Sequence, residues 1–562
     1  MQESAEFSKR EQYDQAILCL KKVLELKLDI SLLGIPGLKN AFLEKTTAIS
    51  EFGKIVTESK LTEYQIDFVF TVRNFRLDKW DENIENAVLL SLKNPSINPQ
   101  NLTAVGLELL HQKHFSASDP LLLALLETVV LPDANLEKLL KKKRMELLLH
   151  SDDIDFLESY RPFIYALSTQ CSINEYVYAL SDSENALVEQ LMELIVSMLN
   201  ILNPKTKLII VLLSCYRPLY TTPLVQTLFK LSSIENDPSF FRILKMQILD
   251  PMRENELVST IPILNPIEDE ISQKVRLQYE ENPYPRWTRL ERQNPITFQQ
   301  GLINLFPQLV DRFDPVASPT RILVAGCGTG KHTINCALCY LNCQVTAIDL
   351  SVSSLAYAKR MAEEMDVANI TFIQGDILNQ EEANEKFDVI NCSGVLHHMQ
   401  DPIAGWNILT NMLTKDGWMN IGLYSEIARR KIAAARQYVV DKGYRGTLED
   451  IRNCRENILN ISDGDPIKSV VLWEDFYTTS TCRDLLFHVH EVHFTLLQIE
   501  EILAKLKLEF IGFDTPSSIK LRFKKMFPED PWMVSLSNWH QFEQENPDTF
   551  LTMYQFWVIK KS

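Results

Sequence analysis

Four short stretches of the chain place glycines, carboxylates and histidines where chemistry can be done. The first, AGCGTGKH, sets Gly326, Gly328 and Gly330 at alternate positions. That spacing permits a tight strand-to-helix turn and a close approach of backbone to a ligand. A dinucleotide fingerprint, G-x-G-x-x-G, needs its third glycine at position 331, and Lys331 stands there. The second stretch, CQVTAID, ends in Asp349, nineteen residues after Gly330. A carboxylate at that place can take both hydroxyls of an adenosine ribose. The third, ITFIQGD, ends in Asp376, which can accept from an adenine amino group. The fourth, NCSGVLHHMQDP, carries Ser393, Gly394, His397 and His398.

Each stretch closes an apolar run of β type. RILVAG (321–326), CQVTAID (343–349), ITFIQGD (370–376), FDVINCSG (387–394) and WMNIGLYS (418–425) alternate with amphipathic helices such as SSLAYAKRMAEEM. Repeated β-α units imply a parallel sheet with right-handed crossovers, covered on both faces. Such a sheet binds ligands beyond the carboxyl ends of its strands.

Before about residue 258 the pattern is helical throughout. YDQAILCLKKVLEL (13–26) has apolar residues at helical spacing. LLLALLETVVLPDANLEKLLKKKRMELLL gives two helices broken around Pro132, with Asp133 or Asn135 as the cap of the second. The run Lys141–Arg144 reads as a solvated helix face. With 562 residues, the chain is too long for a single core. A net charge of −17 argues against a nucleic-acid backbone as partner. Ten cysteines without a regular framework, and an N-terminus with no apolar signal region, point to a reduced, cytoplasmic compartment. Cys327, Cys336, Cys339 and Cys343 read as core thiols, and no metal is expected.

Glycine turn, Asp349, Asp376 and VLHHMQDP together resemble a class I S-adenosylmethionine-dependent methyltransferase over about residues 321–425. A nicotinamide or nucleotide-sugar enzyme of similar topology is the alternative, disfavoured by Lys331. The resemblance implies an α/β, Rossmann-like, seven-stranded sheet with an all-α N-terminal region and helical insertions. LEFIGFDT (508–515) and MYQFWVIKK (553–561) fit its sixth and seventh strands, an antiparallel pair. The domains then run 1–265 (helical; dimerisation and substrate recognition), 266–425 (cofactor core), 426–490 (insertion) and 491–562, with a second insertion at 516–548. The resemblance also implies S-adenosylmethionine as cofactor. Gly326, Gly328 and Gly330 would face its methionine moiety, Asp349 with Leu350 its ribose, and Asp376 and Ile377 its adenine. Ser393 and Gly394 would lie beneath the sulfonium.

The stretch YEENPYPRW (279–287) can be neither helix interior nor central strand, because Pro283 and Pro285 each remove a donor. It is expected to be an aromatic lid, with Arg286 meeting the cofactor carboxylate and Tyr284 or Trp287 stacking near the sulfonium. ENPYPRW, GLYSEIARRKIAAAR, STCRDLLFHVHEVHFT and FEQENPDTFLTMYQFW are together similar to rickettsial protein-lysine methyltransferases acting on outer membrane protein B. That likeness implies a homodimer and a protein substrate with accessible lysines, with no nucleic-acid partner and no membrane insertion. Trp287, Tyr424, Phe476 and Tyr477 are the expected walls of the acceptor site. Glu474, Asp475 or Asp484 would orient the ammonium, with His397 or His398 in a secondary role. Two competing readings are a small-molecule or lipid methyltransferase and a non-catalytic cofactor-binding protein.

Overall fold

The computed structural model describes residues 107, 109–110, 115–198, 203–233, 235–290, 294–312, 320–380 and 385–561. The helix expected at 13–26 lies outside them. The chain divides into two compact units: residues up to Ile248 with Val471–Thr478, and Leu249–Val470 with Thr479–Ser562.

The described part of the first unit is helical from Pro120 to Leu244. Asp133 caps helix α1 (Ala134–Leu149), accepting from the Asn135 and Leu136 amides at 2.9 Å. The expected solvated face at 141–144 holds only in part, because Arg144 is buried. Its guanidinium sits 3.4 Å from Glu184 and 4.4 Å from the Tyr216 ring centroid, so charge and ring compensate its lost hydration.

The second unit begins earlier than expected. Helix α2 (Asp250–Val258) packs on α5 (Val352–Glu364) through Arg360, which bonds Glu254 at 2.9 Å. Residues 262–264 then add a short edge to the sheet, Ile263 bridging to Gln374. Residues 249–265 therefore belong with the cofactor core and not with the N-terminal region. Helix α3 (Glu270–Glu281), capped by Asp269, leads into the proline segment.

The seven strands are β1 (Thr320–Ala325), β2 (Cys343–Asp349), β3 (Ile370–Gln374), β4 (Phe387–Ser393), β5 (Leu413–Leu423), β6 (Leu508–Phe513) and β7 (Tyr554–Lys560). Their order is β3-β2-β1-β4-β5-β7-β6. β1 to β5 are mutually parallel, and β7 is antiparallel to both β5 and β6. The switch point lies between β1 and β2 on one side and β4 on the other. Helix α4 (Lys331–Cys339) follows the glycine turn. One core packs Ile322, Val345 and Val389 under α4 and α5. The other packs Ile390, Met419 and Phe556 against Trp406 and Trp539. The insertion after β5 is divided: 471–478 belongs to the first unit, whereas α6 (Thr479–Phe487) belongs to the second. Helices α7 (Ser517–Met526) and α8 (Leu536–Glu545) fill the β6–β7 connection.

Candidate active site

Two groups of residues meet the carboxyl edge of the sheet, one beyond β1–β3 and one beyond β4–β5. In the first, Gly326 takes φ +71°, and a Cβ there would lie 2.3 Å from Val395. Gly328 takes φ +52°, and a Cβ would lie 2.7 Å from the Tyr284 carbonyl oxygen. Only glycine tolerates both the conformation and the approach. Gly330 continues the turn into α4. Asp349 closes the turn from below, accepting from the Gly328 amide at 2.7 Å and the Ser351 amide at 2.9 Å. Burial pushes its carboxyl up to about 6 against those bonds, and Glu280 adds to the rise.

Asp376 is buried at the end of β3. Its Oδ1 accepts from Leu378, Oδ2 makes no hydrogen bond among the described residues, and the nearby Ser272 hydroxyl acts to lower its pKa. Burial raises its pKa as well. Ile377 is core beside it, and the Leu350 carbonyl accepts from Gln374 at 2.9 Å. At the end of β4, Ser393 donates to Gln555 at 2.8 Å. Gly394, at φ +76°, has nothing within 4 Å of where a Cβ would sit.

The proline segment lies across the glycine turn as a strap. Thr329 donates its hydroxyl to the Pro285 carbonyl, Trp287 Nε1 donates to the Thr329 carbonyl at 3.0 Å, and Tyr357 donates to the Trp287 carbonyl. Upstream, Glu280 accepts from the Val352 and Ser353 amides at 2.9 and 3.0 Å, at the start of α5. An anion at a helix N-terminus is favoured there.

The second group was not legible as a group. Tyr279 donates to Asp484 at 2.7 Å, and Tyr424 faces the other carboxylate oxygen at 3.5 Å. The Tyr279 hydroxyl also meets His488 Nε2 at 3.2 Å, while His488 Nδ1 receives the His490 amide. His398 Nδ1 meets the His490 carbonyl at 2.9 Å. These partners assign the tautomers. His398 carries its proton on Nδ1, leaving an Nε2 lone pair, and His488 carries its proton on Nε2. His398 and His488 stack at 3.6 Å. Burial lowers the pKa of both, so both are neutral imidazoles near neutral pH.

His398, Asp484 and His488 offer ligand atoms within 4.8 Å of one another. A metal would need the Nε2 lone pair of His488. That requires a proton on Nδ1, where the His490 amide already points. The hydrogen bonds thus favour a relay over a metal centre. His397 is buried against Tyr424, with neither ring nitrogen bonded among the described residues, and burial drives its pKa well down. Glu491 anchors the surround. Burial would raise its pKa, but His493, Arg429 and Arg436 outweigh it and bring it to about 2.

Three expected roles need correction. Trp287 turns its ring into the core beside Tyr357, since its N–H is spent on Thr329. Arg286 faces Glu254 at 3.8 Å and the Tyr357 ring, so a protein carboxylate already matches its charge. Tyr424 contacts the Arg429 guanidinium at 3.3 Å and the His397 ring at 3.9 Å, and it offers Asp484 its hydroxyl edge and not an open face. Tyr477 and Phe476, with Glu474 and Asp475, fall in the first unit. Tyr477 is buried there and bonds the Val471 carbonyl at 2.9 Å. Sequence reasoning missed Tyr279 and Glu280, although both stand in the quoted proline stretch. Their partners lie 205 and 72–73 residues away, beyond any local signal.

Sheet order, glycine turn and acids at successive strand ends define a class I methyltransferase domain. Residues 316–442 match a family model described as a methyltransferase domain. The residues present fit S-adenosylmethionine as cofactor: a bare carboxylate oxygen on Asp376, a carboxylate at Asp349, and open space over Gly394. Over 173 residues the chain is 32% identical to an uncharacterized protein of Synechococcus sp., spanning 30% of this chain and 41% of that one. Over 135 residues it is 33% identical to the ubiquinone biosynthesis O-methyltransferase of Actinobacillus pleuropneumoniae, 23% of this chain and 57% of that one. PKMT2 from Rickettsia typhi is 17% identical, with a TM-score of 0.36 over 48% of this chain and 56% of that chain. The chain spans about half the length of the first curated relatives it matches.

Proposed function

We propose that the protein transfers methyl groups from S-adenosylmethionine to lysine side chains of a protein substrate. The observation that carries this reading is the polarity of the acceptor side. Asp484 and the Nε2 lone pair of His398 are both acceptors, and a primary ammonium brings three donors. Asp349 takes the ribose hydroxyls, Asp376 Oδ2 the adenine amino group, and Gly326, Gly328 and Gly330 flank the methionine moiety. Leu350, Ile377, Ser393, Gly394 and Tyr284 complete the cofactor's surroundings. The bound cofactor supplies an electrophilic methyl on sulfur.

The chain's own residues do the rest. Asp484 orients the incoming ammonium, and Tyr279 and Tyr424 hold that carboxylate in place. A free lysine amine has a pKa of about 10.4, so it must lose a proton before it can attack. Burial disfavours the ammonium, and His398 Nε2 receives the proton. The helical unit is assigned to homodimerisation and to recognition of the protein substrate.

A second reading, methyl transfer to oxygen of a small molecule, is favoured by the O-methyltransferases among the relatives. Incubation with isotopically labelled cofactor and three acceptors, a lysine peptide, a catechol and an acyl carboxylate, separates them. Label on lysine Nζ is expected. Label only on oxygen supports the second reading. No transfer to any protein, peptide or small acceptor, with cofactor still bound, leaves a non-catalytic binding protein.

A further inference from the structure

No helix among the described residues is long and apolar enough to cross a membrane. One helix is nevertheless built to lie on a surface. α7 (SSIKLRFKKM) carries Lys520, Arg522, Lys524 and Lys525 with no acid. Arg522 donates to Asn546 Oδ1 and lies over the Phe542 ring, and Lys520 lies over the Phe306 ring, but among the described residues none of the four is in an ion pair, although the chain as a whole is strongly acidic. Phe523 is fully buried and stacks on Trp539 at 4.0 Å, which fixes the inner face of the helix. Leu521 is on the outer face and 69% exposed. Lys524 and Lys525 stand three and four positions from it, and so flank it on the same face. Just past the helix, Trp532 and Val534 are 53% and 43% exposed. Asp530 pins that turn by accepting from the Val534 and Ser535 amides, both at 3.0 Å. Since β6 is parallel to β1–β5, α7 leaves the sheet at the carboxyl edge, the edge that carries the active site.

We propose that α7 and the turn to Val534 dock on a bilayer surface bearing anionic phospholipid. Exposed leucine and tryptophan framed by lysines and arginine is the composition of an interfacial helix, apolar tips entering the headgroup layer while cations stay at the phosphates. Acidic polypeptide would match the charge but gives the exposed apolar tips nothing to bury. Docking of this kind holds the mouth of the methyltransferase domain at the membrane surface without a span. It is independent of which acceptor is methylated.

The test is sedimentation of the full-length protein with vesicles of phosphatidylcholine alone or mixed with phosphatidylglycerol. Binding to the mixed vesicles only is expected, weakening with salt. The double variant Lys524→Glu, Lys525→Glu should lower the partition coefficient at least ~tenfold, since each cation at an anionic surface is worth about fivefold. Quenching of tryptophan fluorescence by brominated lipid should drop in Trp532→Phe, a change that a purely structural role would not cause. Methylation of a soluble acceptor should stay unchanged in both variants, which also reports that they fold. Equal partition into both vesicle types, undiminished binding by the double variant, or capture by polyglutamate without vesicle binding would each overturn the proposal.

Discussion

The cofactor side and the acceptor side of the carboxyl edge are made in opposite ways. Beyond β1–β3, each polar group sits at the end of its own strand, within a few residues of a glycine or an acid of the same motif. Beyond β4–β5, the cluster draws Tyr279, His398, Tyr424, Asp484 and His488 from four separate parts of the chain. The hydrogen-bonding state differs too. Asp376 keeps an unused carboxylate oxygen, whereas Asp484 is held by a tyrosine hydroxyl at 2.7 Å, with a second at 3.5 Å. An unspent acceptor is prepared for a ligand. A restrained carboxylate is prepared to hold its charge in one place. Binding and positioning are thus separable in this site, and variants should separate them.

Asp484→Asn should do the most damage to turnover. Neutralising one partner of a buried, hydrogen-bonded charge pair costs about 2–5 kcal/mol. With a lysine acceptor, kcat/KM should fall roughly 10²- to 10³-fold, while cofactor affinity stays within about twofold. Steady-state kinetics with calorimetric titration of the cofactor measure both. A matching loss in cofactor affinity would mean that the two sides are one site.

Asp349→Ala should give the converse pattern. A charge-assisted hydrogen bond contributes ~1.5–3 kcal/mol, so cofactor Kd should rise roughly tenfold to a hundredfold. At saturating cofactor kcat should recover. Unchanged affinity in a folded variant would remove Asp349 from the ribose site.

The same division explains what could be read from the sequence. The five parallel strands and the strand-end acids were legible, because β-periodicity and a glycine turn are local signals; the antiparallel last pair was placed by the family resemblance, and β5 starts at Leu413, five residues before the run expected at 418–425. The cap of α1 was legible as Asp133 or Asn135, and it is Asp133. Arg144 was not: KKKR looks solvated until Glu184 and Tyr216, forty and seventy-two residues on, turn out to enclose it. The aromatic residues at the site misled in a different way. Trp287 and Tyr424 are where a wall was expected, yet hydrogen bonding and stacking commit their rings to the protein. Residue type predicts what a side chain can do, and only its neighbours decide which of those things is left for it.

The raised pKa of Asp349 gives a smaller, pH-dependent contrast between the two sides. Its folded value, about 6, lies above the 3.8 of an ordinary aspartate, so the folded state without cofactor binds the extra proton. The stability this contributes is fully present below about pH 4 and is lost as pH rises through about 6. The full shift corresponds to about 3 kcal/mol, and partial exposure reduces it to roughly 1–2 kcal/mol. Asp349→Asn should therefore gain stability relative to the parent between about pH 4 and 6 and hold that gain above. Cofactor binding to the parent should weaken as pH falls through about 6, when the ribose acceptor becomes protonated. Urea denaturation across that range, without cofactor, tests the linkage. A difference independent of pH would show that Asp349 titrates alike in both states.

Trp287→Phe is the mildest variant, and it addresses the strap that crosses the cofactor side alone. Phenylalanine keeps most of the buried ring against Tyr357 but cannot donate to the Thr329 carbonyl. A net hydrogen bond contributes ~1 kcal/mol, and the orphaned carbonyl can still turn toward solvent in the turn. The strap keeps its other ties, at Pro285 and at the Trp287 carbonyl, so it should loosen without detaching. The expected result is a cofactor dissociation rate raised about fivefold, with kcat at saturation unchanged, because no atom of the Asp484 cluster is touched. Stopped-flow displacement of bound cofactor measures it. A large fall in kcat would instead give Trp287 the acceptor-side role that its hydrogen bond argues against.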